Sequence, residues 1–414
     1  MSDSLDVLFA TILDRQTKPM HLFLFDVDSV LVEANGYLKA LQDTVTHFSR
    51  QMGVGAHPPT EAEVRALEAH GLTSEWDSAP TCIAALLVER LRREPSFALP
   101  ANWSDALTRL ETHPLPLSHP DYTALAQRVG ERMADQPGAA QAARTVLWED
   151  VLASPGLKPH YNALDALFDV LLGHTHDFYR APVTRHFQHL VIGSQGVHQT
   201  YGVDPDFESI AYLREYDRPL LAADVRARLH ESIDRGDVRI ALYTARPSLP
   251  PADTSVTANG YSPEAELARS LAGLDAYPLI GLGRVHWLAE RAGERVEHLV
   301  KPSPVQALAA VGAAWSGQET STLEAALALH RDGELRPPLI DLDTASVHVF
   351  EDSPGGIDAV KHAVELLQAA GLDIAWQPYG IVPADGPKAK AMAARNVPIR
   401  PSINQAILDA LEAI

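Results

Sequence analysis

The placing of the β-type apolar runs limits what this chain can fold into more than any other property of its sequence. One run, His21 to Phe25, is followed by a long interval without another. Then come Val238-Arg239-Ile240-Ala241-Leu242-Tyr243, Tyr277 to Ile280, Val347-His348-Val349-Phe350 and Asp373-Ile374-Ala375-Trp376, with helical stretches between them. Short buried strands alternating with helices read as an α/β fold with a mostly parallel sheet covered on both faces. The long interval is of another kind, because Glu61 to His70, Cys82 to Arg93, Tyr122 to Met133 and Ala139 to Leu152 are rich in Ala, Leu and Arg. In Tyr161 to Gly173 the apolar Leu164, Leu167, Phe168 and Leu171 fall at i, i+3, i+4 and i+7, one face of a helix that Gly173 ends. A helical domain therefore interrupts the sheet domain after its first strand. The proline-bearing breaks at 56–59 and 113–120 read as loops within it. The sequence places the sheet domain at residues 1–35 and 222–414, and the helical domain at 36–221.

With 414 residues the chain can bury a sizeable interior in two or three domains. Its net charge of −20 and the lack of a basic stripe argue against a nucleic-acid partner, which counterion release would require. The one cysteine, Cys82, rules out an internal disulfide framework and sits in the apolar stripe of Ile83, Leu86, Leu87 and Leu91, where it reads as a buried structural thiol. The amino-terminal stretch carries acids and no basic n-region, and no apolar run is long enough to span a membrane. These features lead to the expectation of a soluble cytoplasmic protein with no membrane partner. Nothing in the sequence sets an oligomeric state.

Four segments at expected strand ends carry chemistry. Asp26-Val27-Asp28-Ser29-Val30-Leu31 follows the run Leu22-Phe23-Leu24-Phe25 and puts two carboxylates where a buried strand passes into a loop, the edge at which open α/β sheets bind ligands. Neighbouring acids there repel and lose solvation, a cost that a divalent cation would relieve. Tyr243-Thr244-Ala245-Arg246-Pro247 ends the second run with a hydroxyl able to donate to a phosphoryl oxygen. Lys301-Pro302-Ser303-Pro304 presents a cation just before a helix whose amino end favours anions. Phe350-Glu351-Asp352-Ser353-Pro354-Gly355-Gly356-Ile357-Asp358 joins adjacent acids to a Gly-rich turn, hard-oxygen ligands suited to Mg²⁺. Taken singly, each has a plainer reading: Asp-x-Asp as a solvated turn, Thr244 as a cap, Lys301 as a loop residue, and the acids of the last segment as partners of a helix dipole.

In this order (strand and DxD, strand and Thr, Lys-Pro-x-Pro, strand and Glu-Asp) the four segments resemble the motif set of the haloacid dehalogenase superfamily. The resemblance covers the sheet domain, and it makes the helical insertion similar to a C1-type cap, though larger than the usual one. It implies a Rossmann-like core and an Mg²⁺-dependent phosphatase acting on a small phosphorylated metabolite. Asp26 is then the nucleophile that forms an aspartyl-phosphate, and Asp28 the acid that protonates the leaving oxygen and afterwards activates water. Thr244 and Lys301 hold the transferring phosphoryl group. Asp352, assisted by Glu351, binds Mg²⁺ together with Asp26 and the backbone carbonyl of Asp28. The aspartate two residues past the nucleophile favours phosphate esters over halide or phosphonate substrates. A phosphomutase of the same superfamily stays open as an alternative, as does a non-catalytic ligand-binding protein on this fold.

Other candidates weigh less. His174, His176, His186 and His189 make one stretch histidine-rich, yet no cysteine or paired acid completes a zinc site. Arg185, His198 and Gln199, in the segment Val183 to Gly202 ahead of the return to the sheet domain, either face the catalytic cleft or serve packing and solvent exposure, the second reading being preferred. Arg246 either contacts substrate or pairs with an acid. Asp341 and Asp343 read as turn residues, Gly355 and Gly356 as permitting a close backbone turn, and Asp358 as support for the metal site.

Overall fold

The computed structural model describes residues 19–136, 138–255, 261–342 and 344–414. The sheet is six-stranded and wholly parallel, in the order β5-β4-β1-β6-β7-β8. Its strands are β1 (Met20–Phe25), β4 (Val238–Tyr243), β5 (Leu279–Ile280), β6 (Thr344–Glu351), β7 (Asp373–Ile381) and β8 (Ile399–Arg400), while β2 (Val32–Glu33) and β3 (Arg218–Pro219) form a separate antiparallel pair. Every expected strand is present. The sequence reading missed β8 and the β2–β3 pair, two-residue strands too short to show a period. Pro378 falls inside β7 without breaking it, because pairing with β8 begins only at Gly380.

The described residues divide into two compact units, one within 19–34, 200–202 and 217–414, the other within 35–199 and 203–216. The second unit is helical: Asn35–Gln51 (α1), Glu61–Ala69 (α2), Glu75–Arg93 (α3), Trp103–Glu111 (α4), Tyr122–Met133 (α5), Ala139–Leu152 (α6), Tyr161–Leu172 (α7), most of Pro182–Tyr201 (α8) and Tyr212–Glu215 (α9). Thr60 and Glu63 form a reciprocal cap at the start of α2. Cys82 is buried in α3, and burial raises its thiol far above the usual range, as the structural reading expects. α8 is broken at Gly193, where φ is +74° and a Cβ would stand 2.7 Å from the backbone nitrogen of Ala211. No helix among the described residues is long and apolar enough to cross a membrane.

The sheet unit adds Ala223–Asp234 (α10), Glu264–Leu271 (α11), Leu282–Ala292 (α12), Pro304–Ser316 (α13), Thr320–Asp332 (α14), Pro354–Ala369 (α15), Pro387–Ala393 (α16) and Ile403–Glu412 (α17). Period-two alternation sends the side chains of β1 to opposite faces. Leu22 and Leu24 join Val305, Leu308, Ala309 and Val360 in one core. Phe23 and Phe25 join Leu229, Ala265, Ala406 and Ile407 in the other. All four residues of that run are fully buried, each contributing about 1.5–3 kcal/mol of apolar transfer. A strand so fixed on both faces holds the residue that follows it in one place. β1 is flanked by β4 and β6, and the chain builds outward from it in two directions, so the carboxyl ends of these strands form the crevice where such sheets bind ligands.

Candidate active site

Asp26 is the first residue past β1. Its backbone N–H donates to the Phe350 carbonyl at 3.0 Å, continuing the β1–β6 ladder by one bond. The chain then turns sharply: the N–H groups of Leu31 and Val32 both donate to the Val27 carbonyl, and Ser29 takes a left-handed φ of 61°. This turn keeps Asp26 and Asp28 on the same short loop. Asp26 is 7% exposed.

Lys301 reaches the site from the loop before α13. Its ammonium donates to Asp26 Oδ1 at 2.8 Å and to Glu351 Oε2 at 3.0 Å, and lies 4.0 Å from the centre of the Tyr243 ring. Glu351, the last residue of β6, is fully buried and its two oxygens are richly supplied. Oε2 also accepts from the Tyr243 hydroxyl at 2.7 Å, and Oε1 accepts from the backbone N–H groups of Asp352 and Ser353 and from the Ser353 hydroxyl. A Cβ on Gly356 would stand 1.9 Å from Oε2, so the glycine makes room for this carboxylate. That agrees with the structural role read for Gly356. Asp352 lies just beyond the strand, and its Oδ2 accepts from Lys388 in the first turn of α16 at 2.5 Å.

One ligand atom from each of Asp26, Glu351 and Asp352 can lie within 4.8 Å of the others, the one such group of three among the described residues. Three carboxylates form a hard-oxygen donor set that fits Mg²⁺. The existing bonds divide the work: Glu351 is engaged by five donors and orders the site, while Asp26 and Asp352 are the better placed to offer oxygens. Burial first, then the Glu351 charge, hold the Asp26 carboxyl well above its usual range against the pull of Lys301. Burial would also raise Glu351, yet the Lys301 charge and the bonds from Tyr243 and Lys301 bring it below the usual range. For Lys301 itself burial is outweighed by Asp26 and Glu351, so the ammonium stays charged.

Asp28 does not join this cluster by its side chain. Arg246 donates from Nε to Asp28 Oδ1 and Oδ2 at 2.8 and 3.0 Å and from Nη2 to Oδ1 at 2.6 Å, and both of its terminal nitrogens donate to Asp217 Oδ2 at 3.2 Å. Of the two readings for Arg246, pairing with an acid is the one observed. Thr244 follows β4; its Oγ1 accepts from the Arg246 N–H, and its carbonyl accepts from the Gln306 amide of α13, which also donates to the Ile280 carbonyl. Tyr243, Gln306, Asp217 and Lys388 were not found from the sequence. Their partners lie far away along the chain, and only the last-strand position of Tyr243, beside the Thr motif, hinted at a role.

The remaining candidates are elsewhere. Asp358 pairs with Arg395, and Asp341 lies in a short 3₁₀ turn, whereas Asp343 falls outside the described residues. Arg185 pairs with Asp206, His198 meets the Val203 carbonyl, and Gln199 is exposed. His176 contacts Asp77; His189 is bonded to the Arg185 carbonyl and the Asp206 N–H; His186 stacks on His47 with ring centres 4.1 Å apart. Hydrogen bonds and ring stacking thus engage these three histidines.

No protein-family model and no curated protein matches the chain. Its structure is similar to an X-ray structure of the Northeast Structural Genomics Consortium target ZR25, with a TM-score of 0.60 and 15% identity over 95% of this chain and 99% of that one. Looser likenesses are to the phosphatase Tt82 from Thermococcus thioreducens (TM-score 0.39, 15% identity, 94% and 99% covered) and to a candidate beta-phosphoglucomutase from Thermotoga maritima (TM-score 0.38, 14% identity, 95% and 100% covered). The first likeness establishes the fold. The other two superpose too loosely to bear on activity.

Proposed function

We propose that this chain is an Mg²⁺-dependent phosphoric monoester hydrolase of the haloacid dehalogenase type, acting on a small phosphorylated metabolite through an aspartyl-phosphate. The observation that carries the reading is Lys301, whose ammonium bridges Asp26 and Glu351 beside Asp352 at the carboxyl ends of β1 and β6. A buried carboxylate held by a lysine at this edge serves a reaction better than it serves stability, since replacing a buried ion pair by apolar residues is often neutral or stabilising. Phosphoryl transfer in turn needs chiefly positioning and charge neutralisation.

In this mechanism a carboxylate oxygen of Asp26 attacks phosphorus as the ester P–O bond breaks. Lys301 orients Asp26 and offers positive charge to the phosphoryl oxygens, and the Thr244 hydroxyl donates to one of them. Asp28 gives a proton to the leaving oxygen, then takes one from the water that attacks the aspartyl-phosphate, which releases inorganic phosphate and restores Asp26. Asp26, Asp352 and the carbonyl of Asp28, assisted by Glu351, would hold Mg²⁺, which would supply charge neutralisation. Glu351 holds Lys301 in place.

The test is phosphate release by the purified protein from a panel of phosphate monoesters, with Mg²⁺ or with excess chelator. Release that needs Mg²⁺ and is lost in Asp26→Asn is the expected result. Silence across the panel would overturn the proposal, and isomerised phosphate without release would replace it by a mutase.

A further inference from the structure

The contacts of Asp28 single out a residue that the proposed chemistry has not used. The Arg246 side chain is 2% exposed and spans two acids of unlike environment: Asp217, fully buried, and Asp28, whose side chain is 39% exposed. A guanidinium buried for stability alone would be satisfied by the buried acid. Here the fork is turned toward the open one, with Nε and Nη2 both directed at Asp28 while Asp217 accepts the longer contacts at its far side. The backbone of Arg246 is fixed as well. Its N–H donates to Thr244 Oγ1 at 3.2 Å, and its carbonyl accepts from the Leu282 N–H at 3.0 Å.

The topology gives this clamp a second hold. Asp28 lies where the chain leaves the sheet for the helical insertion, and Asp217 lies where it returns, beside the β2–β3 pair in which Val32 faces Pro219 and Glu33 faces Arg218. Arg246 thus ties the outgoing and returning strands to the end of β4. The contacts also distinguish the two oxygens of Asp28. Oδ1 accepts two donors, at 2.6 and 2.8 Å, whereas Oδ2 accepts one at 3.0 Å.

We propose that Arg246, braced by Asp217, is a positioning residue that sets the orientation of the Asp28 carboxyl. The inference rests on the phosphatase reading. It implies that Arg246 matters in proportion to how much the leaving group needs a proton, a dependence that a purely structural ion pair would not produce.

The experiment compares wild type, Arg246→Met, Arg246→Lys, Asp28→Asn and the Asp28→Asn/Arg246→Met double variant on phenyl and p-nitrophenyl phosphates under single-turnover conditions with Mg²⁺. General-acid assistance is commonly worth about 10²–10⁴-fold. Arg246→Met is therefore expected to slow phenyl phosphate at least about 10-fold more than p-nitrophenyl phosphate, whose phenolate departs without a proton. Arg246→Lys, which keeps the charge and loses the fork, is expected to fall between, and it carries the test should Arg246→Met fail to fold. In the Asp28→Asn background the Arg246 change is expected to add less than about 2-fold, as it must if it acts through Asp28. An equal loss on both esters, or an effect that multiplies in the double variant, would overturn the proposal while leaving the phosphatase reading intact. Absence of turnover of either ester by the wild type, with none on the wider panel, would overturn both.

Discussion

Replacing Lys301 by Met keeps the length and packing of the side chain over Tyr243 and removes only the ammonium. At 2.8 and 3.0 Å from Asp26 and Glu351, and at an effective dielectric constant of about 20, the two attractions are each worth about 6 kcal/mol before desolvation. Taking the ammonium out of water cancels much of this, and removing one partner of a buried pair costs about 3–5 kcal/mol in measured cases. Lys301→Met is therefore expected to unfold in urea with a free energy about 3–5 kcal/mol lower than wild type when chelator is present at pH 8. The loss depends on pH. The Asp26 carboxyl is raised above its unfolded value, and without Lys301 it rises further, so the folded variant binds more protons than the unfolded chain and gains stability as the pH falls. The deficit is thus expected to shrink between pH 8 and pH 5.5. Saturating Mg²⁺ is expected to stabilise the variant more than wild type, since binding to the native state at 100 times the dissociation constant contributes about 2.7 kcal/mol. A variant within about 1 kcal/mol of wild type in chelator at pH 8 would refute the claim that the Lys301 charge holds these carboxylates together.

Rapid-quench labelling with p-nitrophenyl phosphate separates the two leading acids: Asp28→Asn is expected to accumulate acid-stable phosphoprotein because water lacks its base, and Asp26→Asn is expected to show none. Label on Asp26→Asn at the wild-type level would remove Asp26 as nucleophile. Gly356→Ala drives a methyl into the Glu351 carboxylate and is expected to cost about 1–3 kcal/mol in urea unfolding and to abolish phosphate release, whereas Gly355→Ala, whose nearest neighbour would be 3.9 Å away, is expected to leave both nearly unchanged. In the helical unit, burial and then the His47 ring push the His186 imidazole down to about 3. Its contribution to stability is therefore present above its unfolded value near 6.5 and is lost as the pH falls toward 3, and His186→Phe is expected to recover about 2 kcal/mol at pH 5 relative to pH 7.5. Parallel urea curves at the two pH values, unchanged by the substitution, would contradict this.

What could be read from the sequence is what repeats locally. The run Leu22 to Phe25 is apolar on both faces and so announces a central parallel strand, and the acids, hydroxyl and lysine at strand ends announce themselves by position. The division of labour among them could not be read that way. Lys301 and Asp26 are 275 residues apart, Arg246 and Asp28 218 apart, and nothing in either neighbourhood encodes the pairing. Lys388 sits in Gly386-Pro387-Lys388-Ala389, which as a sequence is an ordinary helix start. Glu351 and Asp352 look interchangeable as adjacent acids. They differ because one ends β6 beneath Tyr243 and the other lies beyond the strand, a distinction made only once β4 and β6 are set on either side of β1.

The charges of the assembled site bear on whether it suits a cation. Asp26, Asp28, Asp217, Glu351 and Asp352 face Lys301, Lys388 and Arg246, so five acids meet three fixed cations and two negative charges are left when all are ionised. A site this buried must offset the surplus. Burial and then the Glu351 charge raise the Asp26 carboxyl above its usual range, so a proton there would offset one of the two charges. On the proposed mechanism that proton would work against the chemistry, because a protonated carboxyl is a poor nucleophile. A divalent cation would offset both charges and leave the Asp26 carboxylate without a proton. On the proposed mechanism a bound cation would then answer both the surplus of the site and the negative charge that an approaching phosphate dianion adds.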